Sequence, residues 1–224
     1  MSRASIGQAA LVLLTLGAAD PTAALDMLRV RTTSAVAPCL APVVRAYEAG
    51  GPARVALETG ELRALEGPID LLVGSAIELT HAIESGEGLD ATQVAVARIP
   101  WVVVVAPEAG VKIERLADLG RAGLEVSVLG GPAGYEARRA LAEVRAGHVR
   151  ESQDLSELKH APLSLVPLSL AGAGEQVKVD VAPLAAYAAV ATRSLQRATA
   201  ERFLAFLSSE AGQQAFAACG TTRR

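Results

Sequence analysis

Aromatic residues make up only 3% of this 224-residue chain, too few for the stacked ring platforms that hold bases or sugars. Charge is scarcely biased. The 21 Lys and Arg against 24 Asp and Glu leave a formal net charge of −3 with no basic stripe, so the electrostatic footprint of a nucleic-acid or anionic-membrane binder is missing. The three histidines, His81, His148 and His160, stand apart, with no Cys or carboxylate at metal-ligand spacing; they read as surface or capping residues, and no zinc site or other cofactor is expected. A Gly-x-Ser-x-Gly elbow, a Gly-Lys-Ser/Thr phosphate loop and a local Cys-His nucleophile pair are all absent. So is any apolar run of the ~20 residues that a spanning helix needs.

What is present is a chain that is 51% hydrophobic and 20% charged, enough for one large or two small domains with real cores. The amino terminus has Arg3, an apolar stretch from Ala9 to Ala19 interrupted only by Thr15 and Gly17, and then Pro21-Thr22-Ala23-Ala24. That is the layout of a secretory signal over 1–24, so the mature protein is expected in the periplasm or outside the cell, with no Cys at the cleavage region for a lipid anchor. Two cysteines remain, Cys39 and Cys219. In an exported protein the even count favours a disulfide, and two buried free thiols are the alternative.

Hydrophobic spacing predicts strand and helix in alternation, the pattern of an α/β fold with parallel strands. Strands are expected at Met27–Arg31, Arg54–Leu57, Ile69–Val73, Ile99–Val105, Leu124–Leu129, Leu163–Leu170, Val177–Val181 and Tyr187–Ala191. Helices are expected at Ala37–Ala49, Glu61–Leu65, Ala76–Glu84, Ile113–Leu119 and Tyr135–Arg145, and a helix pair closes the chain. Ile99-Pro100-Trp101-Val102-Val103-Val104-Val105 is continuously apolar, as suits a strand covered on both faces. Segment 147–162 shows no clear pattern.

Strand-to-helix loops place helix N-termini at the carboxyl edge of an α/β sheet, where unpaired N–H groups hold anions without a full countercharge. Four such loops carry hydroxyl or small residues: Thr32-Thr33-Ser34, Thr59-Gly60, Gly74-Ser75 and Gly131-Pro132-Ala133-Gly134. Ordinary helix capping explains the same residue types and is the competing reading for Ser75 in particular.

The closing stretch Phe203-Leu204-Ala205-Phe206-Leu207-Ser208-Ser209-Glu210-Ala211-Gly212-Gln213-Gln214-Ala215-Phe216 resembles the phrase FLxFLxSxxGQxxF of periplasmic molybdate-binding proteins. Pro68-Ile69-Asp70-Leu71-Leu72-Val73 and Pro132-Ala133-Gly134-Tyr135 are similar to two further phrases of that family. The resemblance implies a two-lobed type II periplasmic-binding fold, each lobe a mostly parallel sheet flanked by helices. Lobe I would comprise 25–104 plus 190–224 and lobe II 105–189, with crossings at Val104 and near Val190; periodicity alone also permits a single doubly wound domain. It further implies a small oxyanion such as molybdate or tungstate held by Thr32, Thr33, Ser34, Thr59, Gly60, Ser75, Ala133 and Gly134, an ABC-transporter permease as partner, a monomer, and no enzymatic activity.

Two departures from the family pattern stand out. Glu58 and Glu61 flank the Thr59 turn, where a carboxylate disfavours an anion unless it points to solvent. Pro167 stands where the family has a ligand-binding tyrosine, which leaves Ser164 or Ser169 to substitute. A different small or organic anion is therefore an alternative solute, and a secreted α/β serine hydrolase built on Ser34 or Ser75 is the alternative from another class.

Overall fold

The computed structural model describes residues 27–51, 53–63, 65–121 and 123–221; the expected signal segment lies outside them. In chain order the elements are β1 (Met27–Thr32), α1 (Ala37–Gly50), β2 (Arg54–Thr59), β3 (Leu71–Ser75), α2 (Ala76–Glu84), β4 (Val94–Ile99) and β5 (Trp101–Val105). They continue with β6 (Glu125–Leu129), α3 (Tyr135–Glu143), β7 (His148–Ser152), α4 (Leu155–His160), β8 (Leu163–Pro167), β9 (Glu175–Lys178), β10 (Leu184–Val190), α5 (Arg197–Ser208) and α6 (Glu210–Ala217). The strands form two five-stranded sheets, ordered β2-β1-β3-β10-β4 and β7-β6-β8-β5-β9, and each sheet with its helices is one lobe.

Each sheet is parallel on one side and antiparallel on the other. In the first, β1 runs parallel to β2 and β3, while β10 is antiparallel to β3 and β4. In the second, β6 runs parallel to β7 and β8, while β5 is antiparallel to β8 and β9. The sheets are therefore mixed. The strands on the antiparallel sides flank the chain's two passages between sheets, β4 and β5 at Pro100 and β9 and β10 at 179–183.

Pro100 explains why the expected single strand Ile99–Val105 is two strands in different sheets. Proline has no N–H for a ladder and fixes φ, so β4 ends at Ile99 and β5 starts afresh at Trp101. The anticipated crossings, Val104 and Val190, lie within β5 and at the end of β10.

Helix α1 buries Cys39, Leu40, Val43 and Val44, an i, i+1, i+4, i+5 face. Pro42 sits inside it, and its missing N–H would have met the carbonyl of the exposed Pro38 in the first turn. Against this face pack α5 and α6, with Phe203, Leu207 and Phe216 fully buried. Tyr47 meets the Phe203 ring edge-on at 4.8 Å and Phe206 at 5.2 Å; Phe203 is fully buried and contributes about 2–3 kcal/mol of hydrophobic stabilisation, the two half-buried rings less. On the opposite face of the sheet, Leu79 and Ala82 of α2 close over Leu72, Ile69 and Leu62.

The two cysteines are bridged: Cys39 of α1 and Cys219 just beyond α6 form a disulfide with a Cα–Cα distance of 5.4 Å across a sequence separation of 180. Both ends of the described chain thus lie in the first lobe.

The helix expected at 61–65 is not formed at 61–63 or 65. The six residues between Gly60 and the positive-φ Gly67 are too few to offset the cost of helix nucleation, and Leu62 instead turns inward to join the α2 cluster. The helix expected at 113–119 is a 3-10 turn, Leu116–Gly120. Unpatterned 147–162 holds β7 and α4. Among the described residues no helix is long and apolar enough to cross a membrane.

Candidate functional site

A cleft of about 250 Å³ opens between the lobes. The first lobe lines it with Thr33, Ser34, Thr59, Gly60, Glu61, Leu62, Arg63, Glu78 and His81, and the second with Leu129, Gly130, Gly131, Pro132, Ala133 and Gln153. These positions share one origin. Thr33 and Ser34 follow β1, Gly60 follows β2, Gly130 follows β6 and Gln153 follows β7, so the cleft sits at the carboxyl ends of the parallel half of each sheet, where an α/β sheet presents ligand loops.

Thr33 is the most informative residue of the wall. Its backbone is fully used: the N–H donates to the Val73 carbonyl at 3.2 Å, and its carbonyl accepts from Val36 N–H at 3.1 Å and Ala37 N–H at 3.0 Å. Its hydroxyl is not. The residue is 6% exposed, lines the cleft, and has no partner for Oγ1 among the described residues. A buried hydroxyl without a partner costs about 1–3 kcal/mol, and this one belongs to a residue of the cleft wall.

The helix that follows adds to this. Helix α1 has no side-chain cap and no acidic residue in its first turn, so no side chain of its own offsets the partial positive charge at its N-terminus. The N–H groups of Ser34 and Ala35 find no acceptor among the described residues. Helix α2 is the opposite case. Ser75 Oγ accepts from Glu78 N–H at 3.3 Å and Glu78 Oε2 accepts from Ser75 N–H at 2.9 Å, a closed capping box. Ser75 is thereby engaged within its own helix and does not line the cleft, while Glu78 does so as the partner of that N-terminus.

Of the other residues singled out in the sequence, Ser34, Thr59, Gly60 and Ala133 line the cleft together with Thr33. Thr32 lies behind it, fully buried, its carbonyl accepting from Gly60 N–H at 2.9 Å and its hydroxyl without a partner among the described residues. Gly134 is buried beneath the turn: a Cβ there would collide with the Leu129 carbonyl oxygen, so only glycine lets the 3-10 turn Pro132–Gly134 seat on β6. Ser164 is inside β8, 1% exposed and flanked by Val104 of β5 and Ser127 of β6. Ser169 donates to the Ala35 carbonyl at 2.7 Å, tying the second lobe to the loop that carries Thr33. Neither serine lines the cleft.

The two glutamates flanking Thr59 differ in setting. Glu58 pairs with Arg31 at 3.2 Å, whereas Glu61 is exposed on the cleft wall. Arg63 and His81 share that wall. Glu61 and Glu78 against Arg63 leave no strong net charge, so attraction for an anion falls to hydroxyls, backbone N–H groups and helix ends. Arg63, Glu78, His81 and Gln153 were not legible as cleft residues. For Gln153 the signal would have been its place after a parallel strand, hidden because β7 reads His-Val-Arg-Glu-Ser and is exposed at four of five positions.

No protein-family model matches this chain, and no curated protein sequence matches it. Solved structures do. The periplasmic molybdate-binding protein of Azotobacter vinelandii superposes with a TM-score of 0.72 at 14% identity, covering 88% of this chain and 99% of that one. The sulfate-binding protein of Mycobacterium tuberculosis gives 0.70 at 14% identity, over 88% and 86% of the two chains. A periplasmic thiamin-binding protein gives 0.63 at 15% identity, over 88% and 82%. At these identities the likeness is one of architecture: the chain has the two-lobed α/β fold of the type II periplasmic solute-binding proteins.

Proposed function

We propose that this chain is the exported solute-binding component of an ABC importer and that it takes a small oxyanion of the molybdate or tungstate kind into the cleft between its lobes. The observation that carries the reading is the buried, unpartnered Thr33 hydroxyl beside the uncapped N-terminus of α1, across the cleft from the Ala133 turn. A dianion entering a closing cleft loses its water, and only fixed donors make that loss tolerable. Thr33, Ser34 and Thr59 supply hydroxyls, and Gly60 and Ala133 bring backbone close to the ligand. Full positive charges are not required.

Because donors come from both walls, the bound anion makes more contacts in the closed arrangement than in the open one. That differential contact is what shifts the equilibrium toward closure. The passages at Pro100 and 179–183 serve as the hinge in this reading, with the described part of lobe I falling within 27–99 plus 184–221. A monomer presents the closed form to a membrane permease, and no covalent chemistry is involved. A hydrolase reading gains nothing from the site: Ser75 caps α2, and no hydrogen bond joins His81 to Ser34 among the described residues. Calorimetric titration of the purified protein with molybdate, tungstate, sulfate and phosphate tests the proposal. Saturable heat with at least one is expected, and none with any of the four overturns it.

A further inference from the structure

The second lobe meets the cleft through Leu129, Gly130, Gly131, Pro132, Ala133 and Gln153. Five of these have side chains that cannot form a hydrogen bond. Gln153 is the exception, and its carboxamide has no hydrogen-bond partner among the described residues. It is also positioned. A Cβ at Gly130 would stand 3.3 Å from Gln153 Cγ, and one at Gly131 would stand 3.6 Å from Nε2, so the side chain lies over a turn that has no side chains of its own to displace it. Gly130 N–H donates to the Ser152 carbonyl at 2.9 Å, which fixes the residue before Gln153 against that turn. The serines expected to supply a hydroxyl from this lobe are engaged elsewhere, Ser164 in the sheet interior and Ser169 on the Ala35 carbonyl.

We infer that Gln153 is the specificity-determining side chain of the second lobe, its Nε2–H donating to an oxygen of the bound anion as the lobes close. This rests on the anion-binding reading above and adds a consequence for selectivity. A carboxamide presents N–H donors to a fully deprotonated oxyanion without adding charge. A carboxylate in the same place accepts only, so it repels sulfate and molybdate but accepts from the hydroxyl of hydrogen phosphate.

Titrations of the wild-type protein, Gln153→Ala and Gln153→Glu with molybdate, sulfate and phosphate at neutral pH decide the matter. Both variants are expected to melt with the wild-type protein in the absence of ligand, because the side chain is exposed. Gln153→Ala is expected to weaken binding about tenfold, the loss of one hydrogen bond to a charged group. Gln153→Glu is expected to weaken sulfate and molybdate more than that and phosphate less, moving the phosphate-to-sulfate preference by about tenfold or more. Affinities and preference within about twofold of wild type in Gln153→Glu, or a uniform loss with the preference unchanged, overturn the inference while leaving the anion site standing. A wild-type protein that binds none of these three and no tungstate overturns both.

Discussion

Replacing Asp70 tests the packing logic of the first lobe at one atom group. The carboxylate is 3% exposed and accepts four hydrogen bonds: from Arg29 N–H to Oδ2 at 3.0 Å, and to Oδ1 from the Ser194 hydroxyl at 2.8 Å and from Leu195 and Gln196 N–H at 3.1 Å each. Gln196 is the N-cap of α5 and offers that helix no side-chain cap, and Asp70 instead holds the Ser194–Gln196 turn that leads into it. Asp70→Ala leaves four donors without their acceptor. Water reaching some of them limits the loss, and about 3–5 kcal/mol is expected. Asp70→Asn keeps the shape but turns an NH₂ toward either the single donor or the group of three, so about 2 kcal/mol is expected. At about 2–4 °C per kcal/mol for a chain of this size, Asp70→Ala should melt roughly 10 °C below wild type. Urea unfolding with the disulfide intact measures both. An Ala variant within about 0.5 kcal/mol of wild type, the range of an ordinary surface change, refutes the argument.

Thr33→Val keeps the shape and removes the unpartnered hydroxyl, so unliganded stability should hold or rise while oxyanion affinity falls about tenfold or more; paired melting and titration show whether the two move in opposite directions. Gly134→Ala pushes a methyl into the Leu129 carbonyl, and a loss of about 2 kcal/mol or more together with weakened binding is expected by denaturation and titration. Reduction of the Cys39–Cys219 bridge frees a loop of 180 residues in sequence, which by chain entropy costs about 5 kcal/mol; unfolding curves with and without reductant should separate accordingly, with the larger denaturant dependence in the reduced protein. The Asp118 carboxyl is held below the ordinary Asp value of 3.8, chiefly by Glu114 N–H, against the opposing effect of burial, with help from Arg115 N–H and the Arg121 and Arg115 guanidiniums. Its contribution is therefore complete above pH 3.8 and is lost as pH falls through the lower folded value, so the stability difference between wild type and Asp118→Asn should shrink only in that acid range.

The parts of the fold legible in the sequence were those whose signal is local and strong. The Val102–Val105 run, the apolar strand after Asp70, the turn Pro132–Gly134 and the helix pair after Arg197 each carry a pattern that one environment explains. What escaped depended on partners far along the chain. β7 is an edge strand bonded to β6 alone, so its polar face gives no alternation, and the cleft position of Gln153 vanished with it. The break at Pro100 was hidden by a hydrophobic stretch that looks continuous, although proline alone supplies the physical reason. At the site, the hydroxyl loop after β1 was readable from composition, whereas Ser75 turned on a side-chain bond with Glu78. Capping residues and ligand residues are the same few types, and only geometry separates them.

The covalent bond between Cys39 and Cys219 bears on the order of assembly. The second sheet draws all its strands from one continuous stretch and can be completed as soon as that stretch exists, but the first must wait for β10 and the final helices. The bond joins α1 to the chain just beyond α6, so it can close only once both segments are present and packed together. A product truncated before Cys219 keeps a lone thiol in its interior, and its oxidation state alone would betray it.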